Sequence, residues 1–160
     1  MALDTKQLGR KGWGILITGA VAFVSLFLPW YGASVAGYTA QSVNAWSTGY
    51  GWIAAGLLVA ASVYLFIRLQ GDVKLPARSA AVVLVLSALG LLLVFIRLGS
   101  LPTGSDNIAG VATYQYGGRI GIVIALLAGL VQVVCAGLLL RSARRHPGDE
   151  QTAPAAPTNP

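Results

Sequence analysis

The chain has 160 residues, of which 56% are hydrophobic and only 10% charged, with a mean hydropathy of +0.71. A soluble domain is usually ~25% charged, so this composition excludes a soluble globular protein, and its apolar content excludes a disordered chain. An integral membrane protein remains. One cysteine, Cys135, excludes an internal disulfide or a Cys-x-x-Cys pair, and one histidine, His146, leaves no His-rich metal site. No cofactor is expected. The net charge of +6 would suggest nucleic acid in a soluble protein, but in a membrane protein the location of charge matters more than its sum. No nucleic-acid partner is expected.

In chain order, residues 1–12 form a basic N-terminal tail with Lys6, Arg10 and Lys11. A transmembrane helix needs ~20 mostly apolar residues. Four segments qualify, at about 13–30, 51–67, 79–96 and 120–140, and none contains Asp, Glu, Lys, Arg or His. Barrel strands would be shorter and would alternate polar with apolar residues. The expected fold is therefore an all-α membrane protein, a four-transmembrane-helix bundle over residues 13–141. Read as a signal peptide, the first segment has its basic start and small residues at Ser34 and Ala36. Its apolar run, however, exceeds the ~7–15 residues of a signal core. Residues 142–160, rich in proline and alanine, read as a disordered tail, with a partner-docking peptide as the alternative.

Lys and Arg set orientation. Nine of the eleven lie in the two tails and the link between spans two and three, leaving Arg97 and Arg119 on the other side. Both termini are expected in the cytoplasm of a cell with a plasma membrane.

Within the spans the polar residues are Thr18, Ser25, Ser62, Tyr64, Ser87 and Gln132. Burying the Gln132 amide is costly unless it finds a partner. Gly117, Gly121, Ala125 and Gly129 recur every four residues, a spacing that lets helix backbones approach closely. This stripe makes the fourth span the expected centre of the bundle, with Gln132 turned inward as a packing contact or part of a polar path. Weaker stripes (Gly14, Thr18, Ala22; Gly56, Ala60) are expected to pack against it. The end of the third span (LLLVFI) is expected to face lipid or a partner. Cys135 should be protonated and inert. The absence of ionisable groups in the spans argues against proton-coupled transport and proteolysis.

The outer loops gather aromatic residues: Trp30, Tyr31, Trp46, Tyr50, Trp52, Tyr114 and Tyr116. Such rings favour the headgroup level. Trp30, Tyr31, Trp46, Trp52, Tyr114 and Tyr116 are read as interface anchors or as an outer aromatic platform. The runs 38–46 and 111–116 look extended, so a small antiparallel sheet from the two outer loops is expected over the bundle. Leu101-Pro102-Thr103-Gly104 lacks one residue of a sortase signal and reads as a turn. Arg97 and Arg119 should meet lipid headgroups. With Asp106 they also support a third reading, an enzyme acting on lipid.

Three short patterns carry a resemblance: Leu28-Pro29-Trp30-Tyr31 at the end of the first span, Ala45-Trp46 before the second, and Gly118-Arg119-Ile120-Gly121 opening the last. With its basic N-terminus, the chain resembles short four-span proteins of high-GC Gram-positive bacteria over most of residues 10–141. That group has no established activity, so the resemblance implies no catalytic residues. In topology the chain is also similar to claudin-type tetraspan proteins, but it lacks the cysteine pair of their outer loop. Fold alone does not fix function. The expected function is a non-catalytic structural or accessory interaction module in the bilayer, associating with itself or with a larger membrane complex. The alternative is a small oligomeric channel or carrier for a neutral or hydrophobic solute.

Overall fold

A computed structural model describes residues 9–35, 38–47, 49–70, 77–108 and 112–145. It contains four helices, α1 (Gly9–Ser25), α2 (Gly51–Gln70), α3 (Ala77–Ser100) and α4 (Ile120–Arg145), and four strands, β1 (Pro29–Val35), β2 (Tyr38–Asn44), β3 (Gly104–Ile108) and β4 (Ala112–Gly118). Lys6 and Lys74 lie outside the described residues. So does His146 with the tail beyond it.

Three helices are long and apolar enough to cross a membrane: Gly51–Leu69, Ala77–Ser100 and Ile120–Arg145. Only 33% of each of their apolar windows is buried, so most of their Val, Ile and Leu side chains point outward. An aqueous surface could not present so much apolar area. By length and composition the chain is a multi-pass membrane protein.

The first apolar run departs from expectation. Its helix stops at Ser25 rather than reaching Trp30. The N–H groups of Leu26, Phe27 and Leu28 tighten onto Phe23, Val24 and Ser25 at 3.1, 3.1 and 3.2 Å. Pro29 then opens a strand, a position where its missing N–H costs no ladder bond. At the other extreme, α4 continues past the apolar run through Ser142 to Arg145. The boundary expected at Ser142 is therefore displaced. Extending an existing helix is easy, and Arg144 and Arg145 suit the negative end of its dipole.

The four helices pack up and down around one core, each touching its two neighbours. Tyr64 meets Ser79 at one end of the α2–α3 pair, and Leu58 meets Gly90 further along. Gly14 abuts Cys135, while Gly121 abuts Leu28 at the opposite end of the α1–α4 pair. Accordingly α4 occupies a corner, packed on α1 and α3 and diagonal to α2. The expected role as bundle centre is corrected, because every helix has a small residue at a crossing and none is surrounded. Nor does the Gly56–Ala60 stripe pack on α4. Gly56 has open space beside it, and Ala60 is exposed.

The strands form one antiparallel sheet in the order β2-β1-β4-β3. Two hairpins, one from the segment between α1 and α2 and one from that between α3 and α4, join along β1 and β4. The extended runs expected at 38–46 and 111–116 appear as β2 and β4, although Val111 lies outside the described residues. β1 and β3 were not expected as strands. Their glycines and prolines weaken the local signal, and pairing across the two loops supplies what propensity does not.

Candidate functional site

Two clusters gather the chemistry of this chain: a polar knot inside the bundle and the four-stranded sheet above it.

The knot centres on Gln132, which is 0% exposed. Its Nε2 donates to Leu58 O at 2.8 Å and to Ser62 Oγ at 3.4 Å. Ser62 Oγ in turn donates to Ile15 O at 2.8 Å. A relay of hydrogen bonds thus ties α4 to α2 and α2 to α1. It requires Gly19, since a Cβ there would overlap Ser62 Oγ. Gln132 Oε1 and Ser87 Oγ are buried and have no hydrogen-bond partner among the described residues. Ile15, Leu65 and Val83 form one fully buried apolar cluster in the bundle, while Ile122 and Val94 belong to another beneath the sheet with Trp30.

The glycine stripe divides between several roles. Gly117 belongs to β4 rather than to a helix. Gly121 makes room for the sheet: a Cβ there would stand 2.6 Å from Trp30 Cδ1 and 2.8 Å from Pro29 O. Ala125 lies in the core under the sheet with Trp30, Ala54 and Val94. Gly129 faces Leu91 and Leu58, at 3.1 and 3.3 Å from where its Cβ would sit. Only Ala125 and Gly129 serve helix packing as expected.

The aromatic platform separates in the same way. Trp30 is not an interface ring; it is 0% exposed, and its Nε1 donates to Ser25 O at 2.7 Å. The cause is a break in register, since Pro29 pairs with Asn44 and Tyr31 with Val43, leaving Trp30 without a partner on β2. Such a bulge re-aims a side chain, here into the core. Tyr31 packs half-buried against the same cluster. Trp46 and Trp52 do remain exposed, stacked 6.4 Å apart with 12° between their planes. Phe27 joins Trp46 at 6.2 Å, and Phe23 joins Phe27 at 5.4 Å. Sequence reading missed these two phenylalanines, although their spacing of four in the first apolar run, Phe23 on α1 and Phe27 in the turn after it, was a signal that they share a face. Tyr116 lies on the far side of the sheet, its ring over Gly104. The Tyr114 and Asp106 side chains lie outside the described residues.

Arg97 and Arg119 have different neighbours. Arg97 ends α3 with its guanidinium 5.6 Å from the centre of the Tyr50 ring and one nitrogen 3.4 Å from Ser100 Oγ. Arg119 bridges β4 and α4, and its N–H donates to Trp30 O at 3.0 Å. Cys135 is half-buried with apolar neighbours and abuts Gly14.

Comparison of the chain with protein-family models, curated proteins and solved structures gives no match.

Proposed function

We propose that this protein is a four-span bundle of the plasma membrane, with both termini cytoplasmic, and that it serves as a non-catalytic accessory module. It associates with itself or with a larger membrane complex through its outer aromatic ledge and its lipid-facing helices. In this reading α1 is the fourth span. Its 17 residues cover about 26 Å at the usual rise per residue, and the apolar turn Leu26-Phe27-Leu28 extends it toward the ~30 Å of hydrocarbon. Arg68, Arg78, Arg141, Arg144 and Arg145 then cluster on the cytoplasmic side. The kinship with four-span proteins of high-GC Gram-positive bacteria, and the looser likeness to claudin-type topology, belong to the same reading.

The observation that carries it is the sealing of Gln132. A residue lining a path for solute must meet that solute, and Gln132 is 0% exposed with both amide hydrogens engaged by α2. What stays accessible is the ledge of Phe23, Phe27, Trp46 and Trp52. The second reading, passage of a neutral solute, draws on Gln132 Oε1 and Ser87 Oγ, two buried polar atoms without a partner among the described residues that a hydrated state would satisfy.

Reconstitution separates the two. Liposomes containing the chain should swell in glycerol no faster than empty ones, and a photo-crosslinker at Trp46 should capture a protein neighbour in native membranes. Solute flux that Gln132→Leu abolishes without unfolding would overturn the accessory reading.

A further inference from the structure

The outer sheet holds a cation in a prepared place. Arg119 follows β4 directly, and its backbone is fixed by the bond to Trp30 O. Its side chain runs back across β1. The position a Cβ would take on Gly32 lies 3.0 Å from Arg119 Nε and 2.8 Å from Gln41 O. Any side chain at Gly32 would therefore push the guanidinium off the sheet. Gly32 pairs with Gly117, and Ser34 with Gln115, so these four residues share one face, and Arg119, two beyond Gly117, continues it. They form a glycine floor with a polar margin. Over it lies a cleft of about 160 Å³, lined by Ser34, Gln115, Tyr116, Gly117, Gly118 and Arg119.

The cleft has the size of a small group. Sites for drug-sized ligands run from about 300 to 1,000 Å³, so this one suits a single compact anion. A guanidinium carries five donors and stays charged at every physiological pH. Among the described residues that of Arg119 has no ion pair and no hydrogen-bond partner, whereas Arg97 leans on Tyr50 and Ser100. Arg119 also immediately precedes Ile120, where an apolar span begins. That boundary is the headgroup plane, where phosphate is the anion at hand, and the planar fork of arginine matches it with paired bonds.

We infer that the Arg119 cleft binds a phosphate group, carried either on a lipid headgroup or on a soluble molecule. The cleft rests on the outer sheet and does not depend on a protein partner. A chain that binds phosphate but captures no neighbour keeps this inference and loses the accessory reading.

The test uses the full chain in a neutral detergent, titrated by calorimetry with short-chain phosphatidic acid, with inorganic phosphate, and with short-chain diacylglycerol, which lacks the phosphate and should not bind, as control. Phosphatidic acid should bind, and Arg119→Gln should weaken it about tenfold or more, the scale of a lost charge-assisted bond. Gly32→Ala should weaken it too, and Arg119→Lys should restore part of the affinity. Arg97→Gln should leave it within about twofold, a difference well under 1 kcal/mol. Binding of both phosphate probes assigns the site to phosphate in general; binding of the lipid alone assigns it to a headgroup, and of inorganic phosphate alone to a soluble ligand. If Arg119→Gln does not fold, as judged by circular dichroism, Ser34→Ala and Gly32→Ala carry the test. Absence of binding by either phosphate probe overturns the inference, as does unchanged binding in the folded cleft variants.

Discussion

Trp30 and Trp46 belong to the same loop between two apolar helices, yet one is fully buried and the other 51% exposed. The region under the sheet and the rim beside it differ in what the backbone brings near. Beneath the sheet, a bulge turns Trp30 onto Gly121 and leaves its indole N–H a carbonyl to meet. At the rim, a short 3₁₀ turn at Ala45–Ser47 sets Trp46 beside the rings of Phe27 and Trp52. The same chemical group closes the core in one place and offers a surface in the other. Hydropathy cannot distinguish them, because the difference lies in register.

Substitutions can break or sharpen that contrast. The largest effect is expected from Trp30→Ala, which should cost about 3–5 kcal/mol, the range for a deleted core aromatic. Thermal unfolding in detergent would measure it, and a loss below 1 kcal/mol would mean that Trp30 does not close the core. Gly121→Ala comes next. Its Cβ would press on Trp30 and on the Pro29 carbonyl, and overpacking of this kind costs about 1–3 kcal/mol. Because the two residues touch, the double variant should be less destabilised than the sum of the singles.

Within the bundle, Gln132→Leu should change stability by no more than about 1 kcal/mol. It surrenders bonds to Leu58 and Ser62 but also removes a buried oxygen without a partner among the described residues. Gln132→Ala keeps neither the bonds nor the volume and should cost about 2 kcal/mol or more. Similar losses for the two variants would show that the hydrogen bonds, not the packing, hold the knot. The smallest stability effect is expected from Trp46→Ala at the rim, within about 0.5 kcal/mol, as for other surface changes. The same variant should lose the neighbour that a crosslinker at Trp52 captures. Severe unfolding by Trp46→Ala would make the ledge part of the core.

Much of the architecture was legible in the chain because its signals are local. Uncharged runs and the placement of Lys and Arg mark helix positions, and flanking glycines with alternating residues mark β2 and β4. The polar knot was half legible. Gln132 stands out as the costliest group to bury, but its partners are a carbonyl and a hydroxyl 74 and 70 positions away in the chain. Their contact depends on the relative rotation of α2 and α4, which no periodicity encodes. The end of α1 was legible only in part. Pro29 announces a break, but the three residues before it leave the helix to meet the sheet, and Ala45 N–H claims the Leu26 carbonyl at 3.3 Å.

The sequence by itself determined the solvent this protein lives in. Apolar runs without charge have no stable alternative to a bilayer, since hydrocarbon demands that backbone groups bond internally and the hydrophobic effect expels the side chains from water. Tertiary structure alone decided which residues of the two strand-forming loops face the core. Pairing the two loops into one sheet placed Trp30 under it and laid Arg119 across Gly32. Both outcomes follow from a strand register in which a shift of one residue would exchange the faces, and that register is set by contacts between segments far apart in the chain.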